Sequence, residues 1–267
     1  MKSNKETAMN KIAGSVLVCF ILAFILPATL WAKDIEAALQ WSRRVELSTP
    51  VSGVVSEVVV NAGGHVRKGQ PLLRLDDRLF KTHVEKTSAD VKRLEVKRNE
   101  AEQELKRAKE MHERDLIADH ELELARIGFV AVNSEYQAAQ AALTKAELNL
   151  EYSVVRAPFD CVVLQRHVEV GQTIVSTMQP ATLFVLAEAG NMLARIKMTN
   201  EEISALSIGQ KVFVKVADKK YKGVISRLGL EPVGMRNSKP LYEVDIKFSF
   251  DPMTIIRPGQ SATAILP

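Results

Sequence analysis

The chain has 267 residues, of which 46% are apolar, 25% charged and only 6% aromatic, a composition that excludes both a disordered tail and a polytopic membrane protein. Thirty-six Lys and Arg stand against 32 Asp and Glu, and a surplus of +4 spread among acidic neighbours is too weak for a nucleic-acid surface. Two cysteines cannot build a disulfide framework, no CxxC, HExxH, phosphate-loop or GxSxG sequence occurs, and the histidines at 65, 83, 112, 120 and 167 lack metal-ligand spacing. No catalytic residue, metal ligand or cofactor site is therefore expected.

Lys2, Lys5 and Lys11 outweigh Glu6 ahead of residues 12–32, which carry no charge at all. A basic start followed by an apolar run reads as an export signal. Pro27 and the stretch Ala28-Thr29-Leu30-Trp31-Ala32 fit cleavage after Ala32, while 21 uncharged residues are also long enough to remain as a membrane anchor. Both alternatives place the rest of the chain outside the cytoplasm. Cys19 follows Val18, where a lipoprotein signal wants a small residue, so Cys161 is expected to be the sole thiol of the processed chain.

Residues 49–75 and 157–186 carry one pattern twice. Pro50 answers Pro158, Val54-Val55 answer Val162-Val163, Gly63 answers Gly171 and Val66 answers Ile174, each at an offset of 108 residues. Both copies are short β-branched runs punctuated by glycine, with Gly53, Gly63 and Gly69 in the first. Each predicts half of a small β-sandwich, glycines in the turns and β-branched residues on the inner faces. A half-sandwich leaves an apolar face bare, so the two copies are expected to bury it against each other, with Val54 and Val162 in one common core.

Residues 79–152 contain no proline and a single glycine, Gly128, which permits long helices. Leu122, Phe129, Tyr136, Leu143 and Leu150 recur every seven residues, with Ala125, Val132, Ala139 and Ala146 three positions later. The first arm is less regular: Val84, Val91 and Leu105 form one set and Leu94, Ala101 and Ala108 the other, while Arg98 and His112 interrupt the first. The spacing predicts an antiparallel coiled-coil hairpin turning near residues 115–119, with charged faces in solvent and arms of about 50 Å.

From Ala187 onward the pattern becomes alternating strands at 193–198, 212–216, 224–228, 242–248 and 262–266, separated by turns at Gly209, Gly223, 232–234 and 258–259. Thr199-Asn200-Glu201-Glu202 reads as a capping box opening a short helix that ends near Gly209. About eighty residues of this kind predict a small β-barrel.

Ser52-Gly53-Val54-Val55, Gly63, the run from Val66 through Arg67-Lys68-Gly69-Gln70-Pro71 to Leu72, and Arg156-Ala157-Pro158-Phe159 together resemble the split biotinyl-lipoyl domain of periplasmic adaptors, the membrane fusion proteins. Arg257-Pro258-Gly259-Gln260-Ser261-Ala262-Thr263-Ala264 is similar to the phrase that ends their barrel. The resemblance implies an elongated multidomain α+β chain. Its parts are a signal or anchor at 1–32, a lipoyl-like sandwich from 43–77 and 154–187, a hairpin at 78–153 and a barrel at 188–267. It implies a non-catalytic role in efflux, in the periplasm at the inner membrane. The implied partners are an inner-membrane transporter of RND or ABC type, an outer-membrane channel and further copies in a hexameric ring, with no nucleic acid. An adaptor for a secretion-type ABC exporter is the alternative, and a biotin or lipoyl carrier a remote one, because no lysine stands at a hairpin tip. The adaptor docking motif, Arg, three residues, Leu, six residues, Ser, falls here on Arg107, Met111 and Ala118. A counterpart of the further membrane-proximal domain of many pump adaptors is not expected in the residues up to Pro267.

Overall fold

The computed structural model describes residues 33–176 and 181–266; the signal or anchor segment and Cys19 lie outside the described residues. Contacts divide the chain into two compact units. One comprises Gln40–Leu193 with Ser249–Pro258; the other holds the described residues up to Leu39 together with Ala194–Phe248 and the chain from Gly259.

After a first strand, β1 (Lys33–Trp41), come β2 (Arg44–Leu47), β3 (Gly53–Val58), β4 (His65–Val66) and β5 (Pro71–Leu75), and, after two helices, β6 (Val154–Arg156), β7 (Cys161–Arg166), β8 (Thr173–Ile174) and β9 (Phe184–Glu188). Strands β2 to β9 form two four-stranded sheets, ordered β6-β5-β3-β8 and β2-β9-β7-β4. The two orders are images of each other. Adding 108 to the first copy and subtracting it from the second turns the pairs Gly53↔Ile174 and Val54↔Thr173 into Cys161↔Val66 and Val162↔His65. The bonds follow the same rule. Val55 N–H donates to Gln172 O at 2.9 Å and Gly171 N–H to Val55 O at 2.8 Å, while Val163 N–H donates to Gly64 O at 3.0 Å and Gly63 N–H to Val163 O at 2.8 Å. A bulge between Val55 and Glu57 recurs between Val163 and Gln165.

This pseudo-twofold corrects two expectations. Each copy does not form its own half: β3 pairs with β8 and β4 with β7, so every sheet mixes both copies. Val54 is also not a core residue. Alternation along a strand sends neighbours to opposite faces, and the inward pair is Val55 and Val163, 1% and 0% exposed, whereas Val54 is 45% exposed. Val162 is half-buried. The common core joins Val55, Leu72, Leu73 and Leu75 to Val163, Leu183, Phe184 and Leu186.

Between β5 and β6 run α1 (Arg78–His112) and α2 (Asp119–Tyr152). The nine heptad positions of α2, from Leu122 to Leu150, are the positions withdrawn from solvent, with Asn133 and Asn149 beside them. On α1 the withdrawn positions include 84, 87, 91, 94, 98, 101, 105, 108 and 112, so Arg98 and His112 lie in the seam rather than interrupting it. The helices run antiparallel: Arg98 Nε donates to Asn133 Oδ1 at 3.1 Å, and its guanidinium lies 5.9 Å from the ring centroids of both Phe129 and Tyr136. Thr87, buried in the same seam, returns its hydroxyl to His83 O at 2.9 Å.

The other unit is a closed barrel ordered β1-β10-β13-β12-β11-β14, with β10 (Asn191–Thr199), β11 (Lys211–Val216), β12 (Lys219–Arg236), β13 (Lys239–Ser249) and β14 (Ser261–Leu266). Alternation is strict on β11, where Val212, Val214 and Val216 are buried beside Ile196, Ile225, Ile246 and Phe248. Strand β1, absent from the expected set, supplies Ala37 and Leu39 to the core and pairs with β14 from Lys33↔Leu266 to Ala38↔Ser261. The helix after β10, α3 (Asn200–Ile203), is a single turn that stops before Gly209; Thr199 N–H donates to Glu202 Oε2 at 2.8 Å. Among the described residues no helix is long and apolar enough to cross a membrane.

Candidate docking site at the interhelical turn

The turn between α1 and α2 is built by backbone chemistry. Leu116 N–H donates to Met111 O and Asp115 N–H to His112 O, both at 2.9 Å, with Asp115 in the left-handed region at φ 56°. This is a Schellman closure, which satisfies the last carbonyls of α1 and turns the residue after the left-handed one back over the helix end. Aspartate tolerates the conformation better than most residues because its short side chain bonds locally. The closure leaves Met111 and Leu116 43% and 65% exposed, two apolar side chains at the turn. His112 Nε2 and Asp119 Oδ1, 2.6 Å apart, tie the two helix ends together.

The docking-motif residues occupy three different situations. Arg107 and Met111 share one helix face through their four-residue spacing, and the Arg107 guanidinium is exposed and paired with Glu104 one turn back. Ala118 is the N-cap of α2, with φ −78° and ψ 158°, and makes no side-chain cap bond. A serine at this position would cap the helix by accepting from a first-turn N–H; with alanine there, the end is favoured only by the negative charges of Asp119 and Glu121 in its first turn. Leu116 had no place in the expected set, because its exposure depends on the left-handed Asp115, which no sequence spacing announces.

The glycines singled out by the repeat serve the sandwich. Gly63 and Gly171 have φ of 84° and 85°, and a Cβ built on either meets nothing within 4 Å; the demand is conformational, not steric. Gly69 likewise has a positive φ, of 79°. At Gly53 the demand is for space, since a Cβ would lie 3.2 Å from Leu75 Cδ1. Its counterpart Cys161 is fully buried, and burial, seconded by the Asp160 charge, pushes the thiol up to about 11. It is therefore an un-ionised space-filler at neutral pH.

Residues 43–188, more than half of the chain, match the CzcB-like, barrel-sandwich hybrid domain family. The chain belongs to that family. The barrel-sandwich hybrid is thus the scaffold that presents the turn. The macrolide export protein MacA of Yersinia pestis is 26% identical over 202 residues, 68% of this chain and 54% of MacA. The cobalt-zinc-cadmium resistance protein CzcB of Cupriavidus metallidurans is 26% identical over 186 residues, 67% of this chain and 34% of CzcB. The chain therefore spans about half or less of the length of these relatives. The membrane fusion protein Spr0693 of Streptococcus pneumoniae R6 shares the fold, with a TM-score of 0.65 at 17% identity over 88% of this chain and 98% of that one.

Proposed function

We propose that this chain is the periplasmic adaptor subunit of a tripartite efflux pump, a non-catalytic part that joins an inner-membrane transporter to an outer-membrane channel. One observation carries the reading: where a carrier-type sandwich needs a tight hairpin offering a lysine, β5 and β6 are linked by two helices of 35 and 34 residues. The first lysine after β5, Lys81, sits on α1 with its Nζ 2.9 Å from Asp77, not at the tip of a β-turn. Such a link serves reach and not group transfer. At 1.5 Å per residue the arm extends about 50 Å, and its end carries exposed apolar side chains flanked by charge, the composition of a protein-docking tip.

In this reading residues 43–77 with 154–187 are the spacer, 78–153 a coiled-coil arm toward the channel, and 188–267, completed by β1, the part that meets the transporter. Copies assemble in a ring, six in number, and energy comes from the transporter. The names of the relatives specify macrolide export and cobalt-zinc-cadmium resistance, and unlike cargoes are expected of a scaffold that transmits rather than recognises.

The test is Arg107→Asp in a strain lacking the chromosomal copy. The variant is expected to fold, reach the periplasm at normal level and fail to restore export, and a photo-crosslinker at Leu116 is expected to capture an outer-membrane protein from the wild type. Full export by the variant together with no crosslink would refute docking at this turn.

A further inference from the structure

The barrel wall formed by β11 and β12 carries an unusual concentration of one charge. Lys211, Phe213 and Lys215 point outward from β11, and Lys220 and Lys222 from β12. The register sets Phe213 opposite Lys222 and Lys215 opposite Lys220. Two ammonium groups directly across an antiparallel pair repel each other. Lys220 Nζ lies 4.3 Å from the centroid of the Phe213 ring, and none of these four lysines forms an ion pair among the described residues. Phe213 remains 41% exposed, and across the next ladder stands Ile265 of β14. The result is a cationic rim around an aromatic and aliphatic centre. Nothing in the barrel needs this arrangement, since its core is filled from the opposite faces of the same strands.

The occupant is indicated by where the chain enters the barrel. Strand β1 begins at Lys33, opposite Leu266, and its next residue, Asp34, faces Ile265, which itself faces Phe213. The start of β1 is thus two ladders from Phe213, about 10 Å away. Residues 12–32, immediately before it, are uncharged and long enough to cross a hydrocarbon core. A bilayer that this segment enters lies close to the start of β1 and so to the Lys211 and Phe213 end of the lysine face. Lysines around a ring and an aliphatic side chain are what an interfacial surface requires, the ring at the headgroup boundary and the ammonium groups against lipid phosphate. We propose that the face formed by Lys211, Lys215, Lys220, Lys222 and Phe213 binds the anionic phospholipid surface beside the N-terminal segment. The acidic side chains Asp34 and Glu36 on β1 mark one border of this face. This goes beyond the adaptor reading and stands whether or not the helical turn docks on a channel.

The experiment uses the full chain, co-sedimented with vesicles containing phosphatidylglycerol and with vesicles of phosphatidylcholine alone. Wild-type protein is expected to prefer the anionic vesicles by about tenfold or more at low salt, with the preference shrinking as salt is added. Changing Lys211, Lys215, Lys220 and Lys222 to Gln together is expected to abolish the preference and leave equal binding to both vesicles through residues 12–32. Removing the same charge from α1, by changing Lys92, Lys97, Lys106 and Lys109 to Gln, is expected to leave the preference intact. Circular dichroism checks folding, and the pair Lys215→Gln with Lys222→Gln, expected to show an intermediate preference, replaces the fourfold variant if that one does not fold. An unchanged preference in the face variant overturns the proposal, as does equal loss in the α1 control. So does a face variant that binds vesicles like the wild type but no longer co-purifies with a transporter, which would make the occupant an acidic protein.

Discussion

Asp245 shows how a charge is kept inside the barrel wall. It is 3% exposed, yet its carboxylate accepts from Arg195 Nε at 2.7 Å, Arg195 Nη2 at 3.1 Å and Arg227 Nε at 2.8 Å, while Glu243 bridges the same two guanidiniums. Burial by itself raises the pKa of this carboxyl; the two guanidiniums that hydrogen-bond it outweigh burial and hold it below the ordinary 3.8. A depressed folded-state pKa means that ionised Asp245 stabilises the fold in full above the unfolded value, and that the contribution disappears as pH falls through the folded one. Urea unfolding is expected to show wild-type stability declining below about pH 4. Asp245→Asn should cost about 2 kcal/mol at pH 7, since Arg195 loses a charged partner in a largely buried site, and should flatten the acid limb. An Asn variant with the wild-type pH profile would assign the decline to other carboxylates.

At the scale of elements, the helix pair is specified by a seam that includes polar side chains, two of which, Arg98 and His112, bond across it. Arg98 is kept in it by Asn133 and by the faces of Phe129 and Tyr136, and His112 by Asp119. A polar group at an inward heptad position finds its partner in only one alignment, so these residues fix register where alanine-rich neighbours would allow slippage. The same helices end in an uncapped N-terminus at Ala118. Ala118→Ser is expected to stabilise α2 by about 1 kcal/mol, visible as slower amide exchange in its first turn with no change in the barrel. Exchange rates equal to the wild type would mean that the first turn is already satisfied by solvent and by its acidic residues.

The whole sandwich behaves as a duplicated object. Because Gly63 and Gly171 have the same φ, the same empty surroundings and dyad-related hydrogen bonds, Gly63→Ala and Gly171→Ala are expected to destabilise equally, each by about 1–2 kcal/mol. Unequal losses in chemical denaturation would show that the symmetry of the backbone is not a symmetry of energy. The pseudo-twofold also explains where the helices were accommodated. The strand pair that carries them, Arg74↔Val154, corresponds in the sheets to Val185↔Glu46, near which the chain enters and leaves the sandwich, so both long connections leave from equivalent ends of the two sheets.

The sequence by itself determined the repeat, the heptads and the alternation of the late strands, because each depends on a local period that burial must respect. That is why the nine inward positions of α2 and the inward valines of β11 were legible. The repeat could not tell Val54 from Val55, since two adjacent valines fit either face until a partner strand sets the register. It could not show that the copies exchange strands, because partners as far apart as Val66 and Cys161 or Gly53 and Ile174 leave no local trace. Strand β1 was hidden for a related reason: the alternation of Ile35, Ala37 and Leu39 with Asp34, Glu36 and Gln40 is short, and it becomes the wall of a barrel only once β14 is beside it. The lysine face belongs to the same class, as Lys215 and Lys220 become neighbours only across a ladder. Periodicity is written residue by residue, whereas adjacency is created when strands pair, and on this chain the scaffold followed from the first and the candidate surfaces from the second.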